Sequence, residues 1–311
     1  MLLRHTNQEL VELACLWEAS VHKPGNVHPG AAFVDTNYND FELSAGAIAP
    51  VFAGADVLSV GQLVLQAVQA TRQAVGKNTN LGIILALAPL AKASDESAIA
   101  GILQQLTIAD AADVYEAIRL ARPGGLGKAT SQDIREQPTV TLLEAMRLAA
   151  DRDLIARQYV SSYHDVQVLL LPRLIEELNK RLPDHSWRSL DWWLTTLQKK
   201  NSFWSQSALA IQATFLHGLV TLGDTLIARK CGIAVMQEAQ QRAAQVLASG
   251  WPETQTGLKA YGDFDTWLRA DGHRRNPGTM ADLIAATLFL LLRRVALSRE
   301  GEAPADLSYD R

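Results

Sequence analysis

A polar segment near the start of the sequence, residues 18–30, holds the densest group of side chains that could do chemistry. Two imidazoles that titrate near neutral pH stand beside an ammonium group suited to phosphate, and glycines allow the backbone to approach a ligand closely. The residues concerned are Glu18, His22, Lys23, Gly25, Asn26, His28 and Gly30. The alternative is that a helix stops here and a two-proline surface loop follows it.

A second polar segment, residues 76–82, lies between two apolar stretches and contains Lys77, Asn78, Thr79 and Asn80. In one interpretation it is a helix N-terminus that binds an anion beside the lysine. In the other, one of the asparagines only caps the helix that follows. The glycine spacing and the Gly-Lys-Ser/Thr ending of a P-loop are absent, so that type of nucleotide site is excluded.

A third polar segment, residues 271–282, places Arg274 and Arg275 just before a predicted helix. Two guanidinium groups at a helix N-terminus suit a polyphosphate. Thr279 and Asp282 have the spacing of a capping box, so the alternative is a well-capped helix behind a basic surface loop.

Carboxylates inside helical stretches form a further group of candidates. Asp153 and Arg157 are spaced i, i+4, which indicates a surface ion pair, whereas a buried face would let Asp151 and Asp153 hold Mg²⁺. Asp224 lies within an apolar stretch, where a charge is costly unless it is paired or metal-bound. Asp224 is therefore the stronger site candidate.

Two patterns are less specific. Residues 122–128 place three glycines between two cations, which could cradle a phosphate, form a lid or act as a linker. The tetrapeptide Leu-Ile-Ala-Arg at 154–157 recurs at 226–229. Coincidence is one explanation of the repeat, and the other is a pair of helices that present an Asp and an Arg to a shared site.

The elements that must position these groups are helices, because apolar residues recur along the chain at helical spacing and no run alternates as a strand would. Thr107 and Thr141 begin capping-box sequences. We predict an all-α fold, a single multi-helix bundle over residues 1–311, with a site formed by loops at helix ends. The predicted helices cover 8–21, 64–75, 81–91, 107–122, 141–163, 166–181, 189–199, 203–229, 233–249, 257–270 and 279–298.

Composition excludes one class of partner. The chain has 311 residues, of which 48% are hydrophobic and 20% charged, as in ordinary globular proteins. A formal net charge of −4 provides no basic field for a nucleic-acid backbone, so we predict no nucleic-acid partner.

The apolar runs do not predict a membrane span, since those at 81–91 and 285–292 are far shorter than the roughly 20 residues required. Glu9 and Glu12 interrupt what would be the apolar part of an export signal. Cys15 and Cys231 fit buried, reduced thiols. These features predict a cytoplasmic protein without a membrane partner.

The order of the polar segments resembles the triphosphoribosyl-dephospho-CoA synthase family. The first segment is similar to the opening motif of that family, the second to its Asn-Thr motif, and the third to its last motif, a Pro-Gly loop running into Ala-Asp-Leu. The residues that carry the resemblance are Glu18, His22, Lys23, Pro24, Gly25, Asn26, Asn78, Thr79, Gly82, Asn276, Pro277, Gly278, Thr279 and Asp282. They span most of the chain.

The resemblance implies an all-α enzyme that uses ATP and Mg²⁺. Members of the family transfer the 5-triphosphoribosyl group of ATP to the 2′-hydroxyl of 3′-dephospho-CoA and release adenine. ATP and dephospho-CoA are then the small-molecule partners, and a homodimer is the candidate assembly.

This reaction gives the polar residues expected roles. Glu18, Asp224 and Asp282 would hold Mg²⁺ and should then line one pocket. Cleavage of an N-glycosidic bond develops positive charge at the anomeric carbon, so Glu18 or Asp224 would stabilise that charge or protonate the base. His22 or His28 would deprotonate the acceptor hydroxyl. The nucleotide is expected at Lys23, Gly25, Asn26, Lys77, Asn78, Thr79, Arg274, Arg275, Gly278 and Thr279.

Departures from the family pattern keep other functions open. The family usually has His and Lys where this chain has Asn80 and Leu81, and an acidic residue near His28, so the acceptor could be a related coenzyme precursor. A Mg²⁺-dependent hydrolase of a nucleotide or an ADP-ribose-like compound would need the same groups, with water as acceptor. A helical nucleotide-binding protein without catalysis is the other alternative.

Overall fold

Fifteen α-helices and no strand make up the part of the chain that the computed structural model describes, residues 6–122 and 134–298. The predicted all-α fold is confirmed. The helices are α1 (Asn7–Ser20), α2 (Tyr38–Phe52), α3 (Val60–Val75), α4 (Leu81–Lys92), α5 (Ile99–Gln104), α6 (Ile108–Ala121), α7 (Leu142–Arg147), α8 (Leu154–Val160), α9 (Leu171–Arg181), α10 (Leu190–Lys199), α11 (Ser202–Leu222), α12 (Thr225–Cys231), α13 (Ile233–Ala248), α14 (Gln255–Arg269) and α15 (Gly278–Leu297).

Several helices begin with a capping box. Each box stabilises the helix start, because its two side chains accept hydrogen bonds from backbone N–H groups that have no partner within the helix. The boxes predicted at Thr107 and Thr141 are confirmed. The box predicted at Thr279 and Asp282 is wrong: α15 already begins at Gly278, so both residues lie inside its first turns. The other boxes begin at Thr6, Asn37 and Ser59.

Two long predicted helices are each broken by a capping aspartate. The helix predicted at 141–163 is divided into α7 and α8, because Asp153 caps α8 through the N–H groups of Ile155 and Ala156. The helix predicted at 203–229 is likewise divided into α11 and α12 at Asp224. The apolar pattern continues through both breaks, and this continuity misled the prediction. Helices α2 and α5 were not predicted.

The core is built around α15, which packs on α1, α4 and α11 and is buried along most of its length. Helix α4 is almost as buried, although it contains Pro89. Pro89 has no N–H to donate to the carbonyl of Leu85, and the hydroxyl of Tyr159 donates to that carbonyl instead, at 2.8 Å. The buried carbonyl of Leu85 therefore still accepts a hydrogen bond.

Other sequence predictions have mixed outcomes. Of the two free cysteines, Cys15 is buried but Cys231 is partly exposed. Most of the glycine-rich segment, residues 123–128, lies outside the described residues. Within the described ranges no single helix is long and apolar enough to cross a membrane, whereas α11 and α12, bent by 57°, pass that test only as a pair.

Candidate active site

A cavity of about 920 Å³ lies where several helix ends meet. Its wall includes the last turn of α1 and the first turns of α4, α8 and α15. This volume is at the upper end of the roughly 300–1,000 Å³ usual for small-molecule pockets. Several of the helix ends at which the sequence predicted a site therefore meet around one large cavity.

Glu18, in the last turn of α1, faces this cavity and is joined to a buried ammonium group. The Nζ atom of Lys23 lies 2.9 Å from Oε1 of Glu18, and both side chains are almost inaccessible to solvent. Lys23 also donates to the backbone carbonyls of Glu18 and Val21. Lys23 therefore neutralises the charge of Glu18 from the protein interior. Lys23 was expected to bind phosphate, but it does not line the cavity.

Asp282 is the second carboxylate in the cavity wall. Burial, and then the negative charges of Glu18 and Asp224, raise the pKa of Asp282 well above its ordinary value. A Cβ atom on Gly82 would lie only 1.9 Å from Oδ2 of Asp282, so only glycine leaves room for this carboxylate beside α4. No hydrogen bond or ion pair to a described residue engages the Asp282 side chain, which leaves it available to a ligand.

Asp224 lies behind the cavity wall and is occupied by backbone groups. Its Oδ1 accepts from the N–H groups of Leu226 (2.8 Å) and Ile227 (3.0 Å), and its Oδ2 from that of Met280 (2.8 Å). Burial raises the pKa of Asp224 to about 6, although these hydrogen bonds oppose the rise. Of the three carboxylates expected to share a pocket, Glu18 and Asp282 line the cavity and Asp224 does not.

A metal site built from protein groups alone is not found in the described ranges, since no group of three or more His, Cys, Asp or Glu side chains is placed to hold an ion. Mg²⁺ commonly needs only one or two carboxylates, because substrate phosphates and water complete its octahedron. Glu18 and Asp282 are oxygen donors of the required type. They are the residues that could hold Mg²⁺ with a nucleotide.

The expected cations Arg274 and Arg275 do not line the cavity. Arg274 donates to the carbonyl of Lys230 at 2.7 Å. Arg275 lies over the ring of Trp267, with 4.5 Å between its Cζ and the ring centroid, and donates to the Trp267 carbonyl. The cations that do line the cavity are Arg72, Lys77, Arg122, Arg152, Arg229 and Lys230. Lys77 was expected as a nucleotide contact, whereas Arg122 and Arg229 belong to the glycine-rich segment and the repeat, for which a site was one of the interpretations left open.

In the second polar segment an asparagine caps the following helix, as one interpretation predicted, while anion binding there stays a prediction. Asn78 caps α4 by accepting from the N–H of Leu81 at 3.1 Å, and it also lines the cavity. Thr79 faces the cavity too, and its hydroxyl forms a 2.5 Å hydrogen bond with Ser44. Lys77 lies beside them, with Nζ 2.8 Å from Oδ2 of Asp40.

The first polar segment is fixed to α14 and to the start of α15. Gly25 has φ +78°, and a Cβ there would lie 2.9 Å from both Leu268 and Pro277. Its N–H donates to Oδ1 of Asp265 at 2.7 Å. Asn26 therefore lies in the cavity wall. Two further expected residues, Gly278 and Thr279 at the start of α15, also line the cavity.

The two expected catalytic histidines lie outside the cavity lining. His22 and His28 stack with ring centroids 4.2 Å apart, and Nε2 of His22 is 3.8 Å from Asp265. Burial, with the neighbouring His22, lowers the pKa of His28 to about 4. The Nδ1 atom of His28 accepts from the N–H of Gly30 at 3.1 Å.

An ion pair connects the two copies of the Leu-Ile-Ala-Arg repeat; the sequence offered a shared Asp and Arg site as one explanation of the repeat but did not identify the pair. Arg229, from the second copy, contacts the carboxylate of Asp153, which caps the helix of the first copy. The hydroxyl of Thr225 accepts from the N–H of Leu154 at 3.2 Å. The repeated tetrapeptide was the available signal. Arg157 instead pairs with Asp165, so the predicted Asp153–Arg157 pair is wrong.

Comparison with known proteins gives a consistent result. Residues 5–300 match the family described as ATP:dephospho-CoA triphosphoribosyl transferase (CitG). Two curated relatives from Klebsiella pneumoniae, both named 2-(5''-triphosphoribosyl)-3'-dephosphocoenzyme-A synthase, are 39% identical over 72 residues and 37% identical over 84 residues. These alignments cover 23% and 27% of this chain, and they span only 25% and 27% of the relatives.

A solved structure shares the fold. It is a crystal structure from Archaeoglobus fulgidus of a chain to which triphosphoribosyl-dephospho-CoA synthase activity is ascribed. The superposition has a TM-score of 0.57 at 24% identity and covers 80% of this chain and 96% of that chain.

Proposed function

Because the chain belongs to the ATP:dephospho-CoA triphosphoribosyl transferase family, we propose that it transfers the 5-triphosphoribosyl group of ATP to the 2′-hydroxyl of 3′-dephospho-CoA, or of a related coenzyme precursor. The observation that carries the proposal is the cavity in which Glu18 and Asp282 meet side chains of several cations. Carboxylates and cations in one cavity suit a magnesium polyphosphate.

The proposed reaction exchanges one bond at the anomeric carbon of ATP for another. The C1′–N9 bond to adenine breaks, and a C1′–O bond to the acceptor 2′-hydroxyl forms. The hydroxyl loses its proton, adenine gains one, and the triphosphate stays on the transferred ribose. Positive charge develops at C1′ as adenine leaves, so a nearby carboxylate lowers the barrier.

We assign Glu18 to that electrostatic role. Its carboxylate faces the cavity, and the buried ammonium of Lys23 holds it in one orientation. Asp282, which has no partner among the described residues, is the proposed anchor for Mg²⁺, with Glu18 as the second donor. When bound, the ion would supply positive charge to the phosphate oxygens.

The other expected residues receive revised roles in this proposal. Asp224 supports the site by joining α12 to α15 rather than by touching the substrate. His22 and His28 help to shape the first polar segment, and their position outside the cavity lining argues against proton transfer to the acceptor. Asn26, Asn78, Thr79, Gly278 and Thr279 remain proposed contacts of the substrates.

Mass spectrometry of products from ATP, Mg²⁺ and dephospho-CoA tests the proposal. A triphosphoribosyl adduct together with free adenine is the expected result. Adenine release that does not depend on an acceptor would favour the hydrolase, and ATP binding without turnover over a panel of acceptors would favour a protein without catalysis. Either outcome would replace the proposed transfer.

A cytoplasmic location and a homodimer stay predictions. Cell fractionation checks the first. Light scattering behind size exclusion checks the second, with a mass twice that of the 33.9 kDa chain expected.

A further inference from the structure

We propose that the cavity binds its two phosphorylated substrates at separate cationic subsites. Arg152, Arg229 and Lys230 take the triphosphate of ATP, and Arg72 with Lys77 takes the diphosphate of the acceptor. The inference rests on the proposed function, because 3′-dephospho-CoA carries a diphosphate between its adenosine and pantetheine parts.

The first subsite is formed by α12 and the residues just before α8. Arg229 contacts Asp153, and Nζ of Lys230 lies 3.2 Å from Oδ1 of Asn276. Neither Arg152 nor Lys230 has a carboxylate partner in the part of the chain that the structure describes. With one of three cations neutralised, this subsite keeps two positive charges for an anion.

Proximity to Asp282 favours the triphosphate for this first subsite. Helix α12, which carries Arg229, begins beside α15, which carries Asp282: the hydroxyl oxygens of Thr225 and Thr279 are 3.4 Å apart. The proposed Mg²⁺ on Asp282 would then lie beside the cations that bind the phosphate chain. A more highly charged polyphosphate needs both the ion and the larger positive charge.

The second subsite is formed by the last turn of α3 and the loop that follows it. Lys77 donates to the carbonyl of Asp35 at 2.6 Å and pairs with Asp40, whereas Arg72 has no carboxylate partner among the described residues. The subsite therefore keeps about one positive charge. That smaller charge suits a diphosphate, which is less negative than a triphosphate.

The two subsites are independent in their contacts. The first contacts Asp153 and Asn276 and the second Asp35 and Asp40, and the two share no partner among the described residues. The reaction itself requires such a division. Each ribose bears its phosphates at C5′, so joining C1′ of one ribose to O2′ of the other keeps two like-charged chains in one cavity, where separation limits their repulsion.

Equilibrium binding of each ligand alone tests the assignment, with ATP and dephospho-CoA titrated separately in the presence of Mg²⁺. Lys230→Gln and Arg152→Gln should weaken ATP binding about tenfold and change dephospho-CoA binding less than about threefold. Lys77→Gln and Arg72→Gln should do the reverse. Lys199→Gln, at an exposed position outside the cavity, is the matched control.

A competition experiment on the unaltered protein avoids the risk that a variant fails to fold. Inorganic tripolyphosphate should displace ATP from the unaltered protein and leave dephospho-CoA bound. Displacement of both ligands, or variants that weaken both equally, would overturn the separate subsites even if the transfer reaction is observed. Binding that follows the predicted division without product formation would uphold the subsites and reject the transfer.

Discussion

The Oδ2 atom of Asp224 accepts a 2.8 Å hydrogen bond from the backbone N–H of Met280, while its Oδ1 caps α12. One buried carboxylate therefore joins the first turns of two helices that both reach the cavity. Arg229 lies on one of these helices and Asp282 on the other. This side chain therefore helps to set the relative position of a cation and a carboxylate in the cavity wall.

Replacing Asp224 by Asn should damage both stability and catalysis. The amide oxygen can still cap α12, but its NH₂ group would face the N–H of Met280, leaving a buried donor without an acceptor. We expect a loss of about 1–3 kcal/mol in the free energy of unfolding, measured by urea denaturation. kcat should fall more than the KM for ATP rises, because the variant misplaces Asp282. Asp95→Asn, at a cap far from the cavity lining, should leave kcat unchanged.

The pH dependence of stability should carry a signature of Asp224. Its pKa rises from an ordinary 3.8 to about 6 in the fold, so the folded protein binds a proton that the unfolded chain releases. The stabilisation by this proton is complete below pH 4 and is lost as the pH rises through 6. Its size is about 3 kcal/mol at 1.36 kcal/mol per pKa unit. Urea titrations between pH 4 and pH 7, without nucleotide or Mg²⁺, should show a smaller loss in Asp224→Asn than in the unaltered protein, because the raised pKa of Asp282 adds the same loss to both.

Gly82→Ala tests the fit between α4 and Asp282. The added methyl group would overlap the carboxylate, so Asp282 must move out of its position. Product formation should fall at least about a hundredfold, while overpacking lowers stability by about 1–3 kcal/mol. Gly101→Ala is the matched control, since a Cβ there meets no other group and should leave activity intact. Equal activities of the two variants would contradict the proposed role of Asp282.

Single and double variants of the buried Glu18–Lys23 pair distinguish its effect on stability from its effect on catalysis. Lys23→Met alone leaves a buried carboxylate without its partner and should cost about 3–5 kcal/mol. The double variant Glu18→Gln, Lys23→Met removes both charges and should recover most of that stability, yet form no product. Thermal unfolding and the adenine-release assay measure the two effects. Activity in the double variant would remove Glu18 from the proposed chemistry.

Tyr159→Phe should destabilise the core through the proline in α4. Without the hydroxyl, the carbonyl of Leu85 has no donor, because Pro89 lacks an N–H, and the expected cost is about 1–3 kcal/mol. Tyr163→Phe is the control. Its hydroxyl donates to the carbonyl of Ala86, but Leu90, four residues on, has its own N–H to offer. Chemical denaturation of the two variants should show the larger loss at Tyr159.

Much of the fold follows from local sequence. Helical spacing of apolar residues and the capping boxes at Thr107 and Thr141 predicted the fold class and several helix starts. The helix breaks at Asp153 and Asp224 were not predicted, because a capping aspartate interrupts a helix without interrupting its apolar pattern. Aspartate followed by two free N–H groups is a cap only when the chain before it turns away, and sequence periodicity does not report that turn.

The cavity lining was predictable where residues belong to the three polar segments and unpredictable where they lie outside them. Asn26, Asn78 and Asp282 line the cavity as expected. Lys23 and Arg275 do not, because a cation in a loop can equally turn inward to a carboxylate or outward onto a tryptophan. Arg72, on α3, and Arg152, just before α8, enter the cavity wall only through packing of segments that are distant in sequence, which no local pattern encodes.

Glu18 is on α1 and Asp282 on α15, and these helices pack against each other although most of the chain lies between them. The carboxylate pair is therefore completed by long-range docking, which forms later in folding than local helical turns. A chain arrested before that docking would still contain helical turns and yet lack the pair. Helical content alone is thus a poor measure of the fraction of chains that have a complete site. We expect ATP to bind only to chains in which α1 and α15 have packed together.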